Sequence, residues 1–197
     1  MKRIEFGAKQ IAIIVVTTAV YALLSLTGAA FQIAPGVSLV YPATAAAIVF
    51  SIWFGIWGVI GVYFGTLIGG LAWAPILVNM TGGFTTILEG LIPALIFYTF
   101  TNLKKDLTDK RSLVAYLIFA VVLGTFACSL LGNLNYTLWG YQTMEYTWTV
   151  GIWVWWLGDA VAALVIGIPI LRLMTPYVQR TSLYHQGFIA RRLEQAE

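Results

Sequence analysis

Two carboxylates stand alone in apolar sequence, and they are the residues of this chain most able to do chemistry. Asp159 lies near the middle of Trp148–Thr175, a run that opens among tryptophans and carries Arg172 near its end. Glu89 lies inside a second apolar run, with Pro93 four residues further on. A carboxylate at bilayer depth costs several kcal/mol unless it is paired, protonated or facing water, so such a residue is a functional candidate by default. Trp155 and Trp156 precede Asp159 by four and three residues, the helical spacing that puts side chains on a shared face. An acid beside indole rings suits a planar or cationic group that stacks on a ring and is held by the carboxylate.

Those two acids need a membrane around them. The chain has 197 residues, of which 60% are hydrophobic and only 10% charged, against about 25% charged in soluble domains. No Asp, Glu, Lys or Arg occurs between Lys9 and Glu89. The net charge of +3 comes from clustered basic residues, which predicts contact with membrane lipid at the bilayer surface and no nucleic-acid partner. The one cysteine, Cys128, sits in an apolar run. With one cysteine, neither a disulfide nor a cysteine-based metal site can be built within the chain, so no metal and no cofactor is expected. The one histidine, His185, falls in the polar tail, and no nucleophile–base pair is visible, so the chain does not read as an enzyme. The first apolar segment is too long for a signal peptide and reads as a retained helix.

The elements follow from breaks in the apolar pattern. A first span is predicted at about Gln10–Phe31, followed by a break at Pro35-Gly36. Leu39–Ala72 is too long for one span and divides into two short ones at the Gly55–Gly58 turn. Pro42 suits the first turn of the second helix. Gly61, Gly65 and Gly69 give the third helix a ridge of small residues, either a seam toward another subunit or a packing surface within the bundle. A fourth span at about Thr81–Phe100 contains Glu89 and a kink at Pro93. The charged loop Lys104–Arg111, a fifth span at about Ser112–Leu131, the Asp159 span and a polar tail complete the chain.

The fold class is therefore all-α, an integral membrane bundle of six transmembrane helices with both termini cytoplasmic. Residues 1–176 form the ligand-binding bundle and 177–197 the cytoplasmic tail. With that topology every Lys and Arg falls on the cytoplasmic side, as the positive-inside rule requires. The expected location is the cell membrane, multi-pass.

Three outer connections remain: Gln32–Leu39, Trp73–Met80 and Gly132–Thr147. The last is rich in amides and aromatics, including Asn133 and Asn135. It reads as a lid over a small, mostly apolar ligand, or as an interfacial aromatic belt. Glu89 falls about nine residues inward from the outer surface and Asp159 about eleven, which puts both roughly 13–17 Å down. Two acids at matched depth on antiparallel spans could face one cavity, each binding a cationic ligand group or a proton, or each could be satisfied separately by backbone or by Thr, Tyr or Trp donors. Asn79 at the outer mouth of the fourth span completes the candidate set Asn79, Glu89, Asn133, Asn135, Trp155, Trp156 and Asp159.

Two families resemble parts of this pattern. The stretch Ser38–Gly70 is similar to the second and third spans of the substrate-binding (S) component of energy-coupling factor transporters, and Ala8 and Ala12 look like that family's small-residue pair. This resemblance implies six spans and a loop-capped pocket open to the outside for a vitamin-like or other small substrate. It also implies that Ala8 and Ala12 touch a transmembrane coupling subunit, which works with ATPases. Tyr41-Pro42, Phe54-Gly55, Asn79 with Glu89, Trp155–Ala160 (WWLGDA) and Pro169 resemble the membrane-associated sensor domain found ahead of kinases and cyclases. That resemblance implies ligand sensing by a domain usually fused to an output domain, and for this chain a sensory module that signals through a separate output protein.

Overall fold

The computed structural model describes residues 6–34, 37–38, 40–184 and 187–188. It is a helical bundle: α1 (Ala8–Gly28), α2 (Pro42–Phe54), α3 (Ile56–Ala72), α4 (Ile76–Thr99), α5 (Lys110–Leu138) and α6 (Met144–Val178). Between α1 and α2 two short strands, β1 (Gln32–Ala34) and β2 (Val37–Ser38), pair antiparallel with Gln32 opposite Ser38. Four helices, α1, α4, α5 and α6, are long and apolar enough to cross a membrane, whereas α2 and α3 are shorter. Large apolar side chains such as Leu23, Phe84, Val165 and Leu173 are exposed on the long helices, the distribution expected of a surface that meets lipid.

α2 is the central helix, packed against α1, α3, α4 and α6. Its alanine run (Ala43, Ala45, Ala46 and Ala47) lets those neighbours approach closely, and nearly every residue in it is buried. Pro42 opens it, where the missing N–H costs nothing. The turn to α3 is tighter than the sequence suggests. Gly55 alone makes it, with φ of 59°, while Gly58 lies inside α3 against the Phe50 backbone. The Gly61, Gly65 and Gly69 ridge packs within the bundle on Thr17, Tyr21 and Ser25 of α1; a Cβ at Gly65 would sit 2.8 Å from that of Tyr21.

Two expected boundaries move. α4 starts at Ile76, right after Pro75, so Asn79 belongs to its first turn. α5 runs on to Leu138 and absorbs Asn133 and Asn135, which the sequence had suggested were loop residues. Asn133 is satisfied along the helix, its Nδ2 donating to the Ser129 carbonyl (2.9 Å) and its carbonyl accepting from Thr137 Oγ1 (3.0 Å), whereas Asn135 Nδ2 reaches across to the Val78 carbonyl of α4. The helix stops at Gly140, φ 77°, with Tyr141 N–H bonded to Tyr136 O and Gly140 N–H to Thr137 O. The outer connection shrinks to a few residues, and Thr143 caps α6 through Tyr146 N–H.

Helix irregularities cluster around the buried acids. Pro93 has no N–H to offer the Glu89 carbonyl four residues back, and α5 passes that point closely, where a Cβ on Gly124 would lie 3.2 Å from Glu89 O. α5 widens to π-type turns at Leu117–Gly124, and α6 at Thr147–Gly151 and Ala163–Gly167. Side chains cover carbonyls there: Tyr116 Oη donates to Ala163 O (2.8 Å) and Ser129 Oγ to Ile152 O (2.6 Å).

The main apolar core, with Ile48, Ile52, Trp53, Trp57, Phe97, Tyr116 and Leu171, fills the half of the bundle near the α2–α3 turn. At this end the Lys104–Arg111 loop is ordered. Asp109 caps α5 by accepting from Ser112 N–H (2.9 Å) and Ser112 Oγ (2.7 Å), and these bonds hold its carboxyl below the usual range. Lys105 of this charged loop is buried under the ring of Tyr98, 3.5 Å from its centroid, with Tyr184 at 4.8 Å. Beyond α6 the chain returns to this end, and the Phe188 carbonyl accepts from Ile56 N–H (3.0 Å). His185 lies outside the described residues.

Candidate functional site

The half of the bundle away from that core has a smaller buried cluster, Tyr21, Ala43, Ala47 and Val62, and a cavity beside it. The cavity, of about 60 Å³, lies between the helices, room for several water-sized groups. α4 supplies Glu89 to its wall and α6 supplies Asp159, each about 1% exposed. Outside the lining, α2 places Thr44 against Asp159, its Oγ1 donating to Asp159 Oδ1 at 2.8 Å. α5 supplies Cys128. A carboxylate oxygen from each acid and Cys128 Sγ all lie within 4.8 Å of one another.

The electrostatics of this cluster are one-sided. Glu89 Oε1 and Asp159 Oδ2 are buried and have no hydrogen-bond partner among the described residues. Among the described residues the cavity lining contains no Lys, Arg or His. Two acids thus face each other at depth with no basic side chain in the lining to balance them. Such an arrangement is stable only with a proton or a bound cation between the carboxylates.

The rest of the lining is aromatic and hydroxyl-bearing. Tyr21, Tyr41 and Trp73 form one side; Tyr41 Oη donates to Ser25 Oγ (2.6 Å), and Trp73 Nε1 reaches the same oxygen (3.2 Å). Tyr136 and Trp155 form the other, edge to face with centroids 5.9 Å apart. Gly132 makes room for Trp155, since a Cβ there would meet the indole at 2.9 Å. Thr85 and Thr86 complete the wall beside Glu89.

Of the residues singled out in the sequence, Asn79, Glu89, Asn135, Trp155 and Asp159 line this one cavity. Asn79 Nδ2 is used on the Ala74 carbonyl (2.7 Å) and Asn135 Nδ2 on the Val78 carbonyl (3.1 Å), so both amides also fasten the ends of their helices. Asn133 and Trp156 stand outside the lining. Asn133 is fully buried as the anchor of the α5–α6 connection, where Gln142 Nε2 donates to its Oδ1 (3.0 Å). Trp156 packs edge-on against Phe126 and beside Trp153. Ala8 and Ala12 are exposed on α1, away from the α3 seam.

Thr44, Cys128 and Tyr21 were not singled out. Thr44 had a signal, as a hydroxyl within an alanine run of a central helix. Cys128 had none, because its importance comes only from the acids that other helices bring to it. A cysteine that builds no metal site by itself becomes, in the fold, one of three potential ligands. No family model, no curated protein and no solved structure matches this chain.

Proposed function

We propose that this protein is a six-span, multi-pass cell-membrane subunit, both termini cytoplasmic, that captures a small cationic substrate from the outer face for uptake. In this reading it works as the energy-coupling factor S components do, with a coupling subunit and ATPases as partners and the exposed Ala8 and Ala12 of α1 as the contact. The observation that carries the reading is the pair of buried carboxylates, Glu89 and Asp159, whose free oxygens belong to one aromatic-walled cavity. Fixed negative charge at that depth favours a positive ligand over a neutral or anionic one. The basic residues at the opposite end support the orientation, with the cavity toward the outside.

Binding to purified protein tests it. Glu89→Gln and Asp159→Asn are each expected to weaken ligand binding and uptake by tenfold or more, on the order of the 1.4 kcal/mol that one decade represents. Unchanged uptake in both variants would remove this site from consideration.

A sensory module is the second reading, favoured by one contact. The Phe188 carbonyl caps α3 at Ile56, which ties the segment after α6 to the central hairpin and offers a route from the bundle to an output protein. Co-purification separates the two: ATPases with a coupling subunit, or a kinase or cyclase.

A further inference from the structure

We infer that Glu89, Cys128 and Asp159 form the binding site for one divalent transition-metal ion of zinc-like softness. The inference rests on reading the cavity as a cation site, and it names the class of cation.

Three observations on different helices converge on it. First, the donors are close: two carboxylate oxygens and Cys128 Sγ within 4.8 Å of one another. Around a four-coordinate zinc-like ion, with M–S near 2.3 Å and M–O near 2.1 Å, ligand atoms stand roughly 3.5 Å apart. Each donor needs to move inward by only about an ångström to reach that spacing. Second, Glu89 Oε1 and Asp159 Oδ2 are buried with no donor assigned to them among the described residues. The two side chains, which both line the cavity, lie within hydrogen-bonding reach of each other, where a shared proton or a cation fits. Third, Asp159 is already held through its other oxygen by Thr44 Oγ1 at 2.8 Å, the kind of outer partner that orients metal-binding carboxylates.

The donor set and the space select among cations. A thiol is a poor ligand for Mg²⁺ or Ca²⁺, which take six or more oxygens, whereas one sulfur with two carboxylates suits a borderline ion such as Zn²⁺ or Co²⁺. A dication cancels two of the ligand charges, which the membrane interior otherwise penalises. The thiol proton leaves to water as the thiolate coordinates. About 60 Å³ accommodates an ion with a remaining water in the fourth position. It is small beside the pockets of several hundred Å³ that hold organic ligands.

Cobalt substitution in the full chain tests the site. The protein, in lipid nanodiscs and stripped with chelator, is titrated with Co²⁺ alone and then with competing Zn²⁺. One Co²⁺ per chain is expected, with thiolate-to-cobalt charge-transfer absorption in the near ultraviolet that Zn²⁺ removes. Cys128→Ser should abolish that absorption, and Glu89→Gln and Asp159→Asn should each weaken Co²⁺ binding by at least about tenfold. Circular dichroism melts confirm that each variant is folded. No Co²⁺ uptake by the folded wild-type protein, or an absorption that persists in Cys128→Ser, overturns the inference. So does Co²⁺ binding that both carboxylate variants leave unchanged. If an organic cation such as tetramethylammonium binds in a Glu89-dependent way and Co²⁺ does not, the metal assignment fails while cation capture stands. If Co²⁺ binds as expected but cells accumulate no metal through this protein, the site stands and the transport role fails.

Discussion

At the scale of single residues, Thr44 and Lys105 carry sharp expectations. Thr44→Val removes the 2.8 Å hydrogen bond to Asp159 and leaves a second carboxylate oxygen without its donor. It should cost about 1–3 kcal/mol in denaturation measured in detergent. Lys105, buried at the opposite end, is the residue expected to set a pH dependence. Burial pushes its ammonium down to about 7, while the Tyr98 ring face at 3.5 Å favours the charged form and opposes part of that shift. In the unfolded chain a lysine titrates near 10.4, so between about 7 and 10 the unfolded state binds more protons. Stability should therefore rise with pH across that window, and Lys105→Met should flatten the slope, as read from thermal melts at a series of pH values. The sequence showed Asp159 and Glu89 plainly, because an acid in an apolar run is conspicuous. It hid Lys105 and Cys128, since a lysine in a charged loop and a cysteine in an apolar helix both look ordinary until other elements surround them.

At the scale of elements, the seam between α1 and α3 depends on glycine. Gly65 leaves no room for a side chain against Tyr21, so Gly65→Leu should separate the two helices and cost about 1–3 kcal/mol or more. Loss of cooperative unfolding would show it. Gly132→Leu acts elsewhere: it drives Trp155 from its place against α5 and should perturb the cavity more than the melting temperature, visible as a shift in tryptophan fluorescence. Periodicity and glycine placement made most of this legible, including the α2–α3 hairpin and the use of Pro42. The α5–α6 connection was misjudged, because glycine and asparagine usually mark loops. Here Asn133 and Thr137 bond back along the helix, and the stop signal that holds is Gly140 in the left-handed region. The π-type turns leave no trace in hydropathy, since widening a turn changes which groups bond and not which residues are apolar.

At the scale of the molecule, the expected topology rests on the charges, and cysteine labelling checks it directly. In a Cys128→Ser background, Asn102→Cys should react only with a reagent that reaches the cytoplasm, and Tyr141→Cys with an impermeant one added outside. Both residues are exposed in the structure. The acid-lined cavity lies in the half of the bundle away from the main core, so any movement that admits a ligand to the two acids is expected in that half. The core end has its own history within each molecule. Ile56 emerges from the ribosome more than a hundred residues before Phe188, whose carbonyl finally meets its N–H. Through that interval the central hairpin waits with the start of α3 uncapped. Synthesis of the segment around Phe188 is then the step that caps α3, and a chain that has not yet reached it carries an open end that quality-control proteases can recognise.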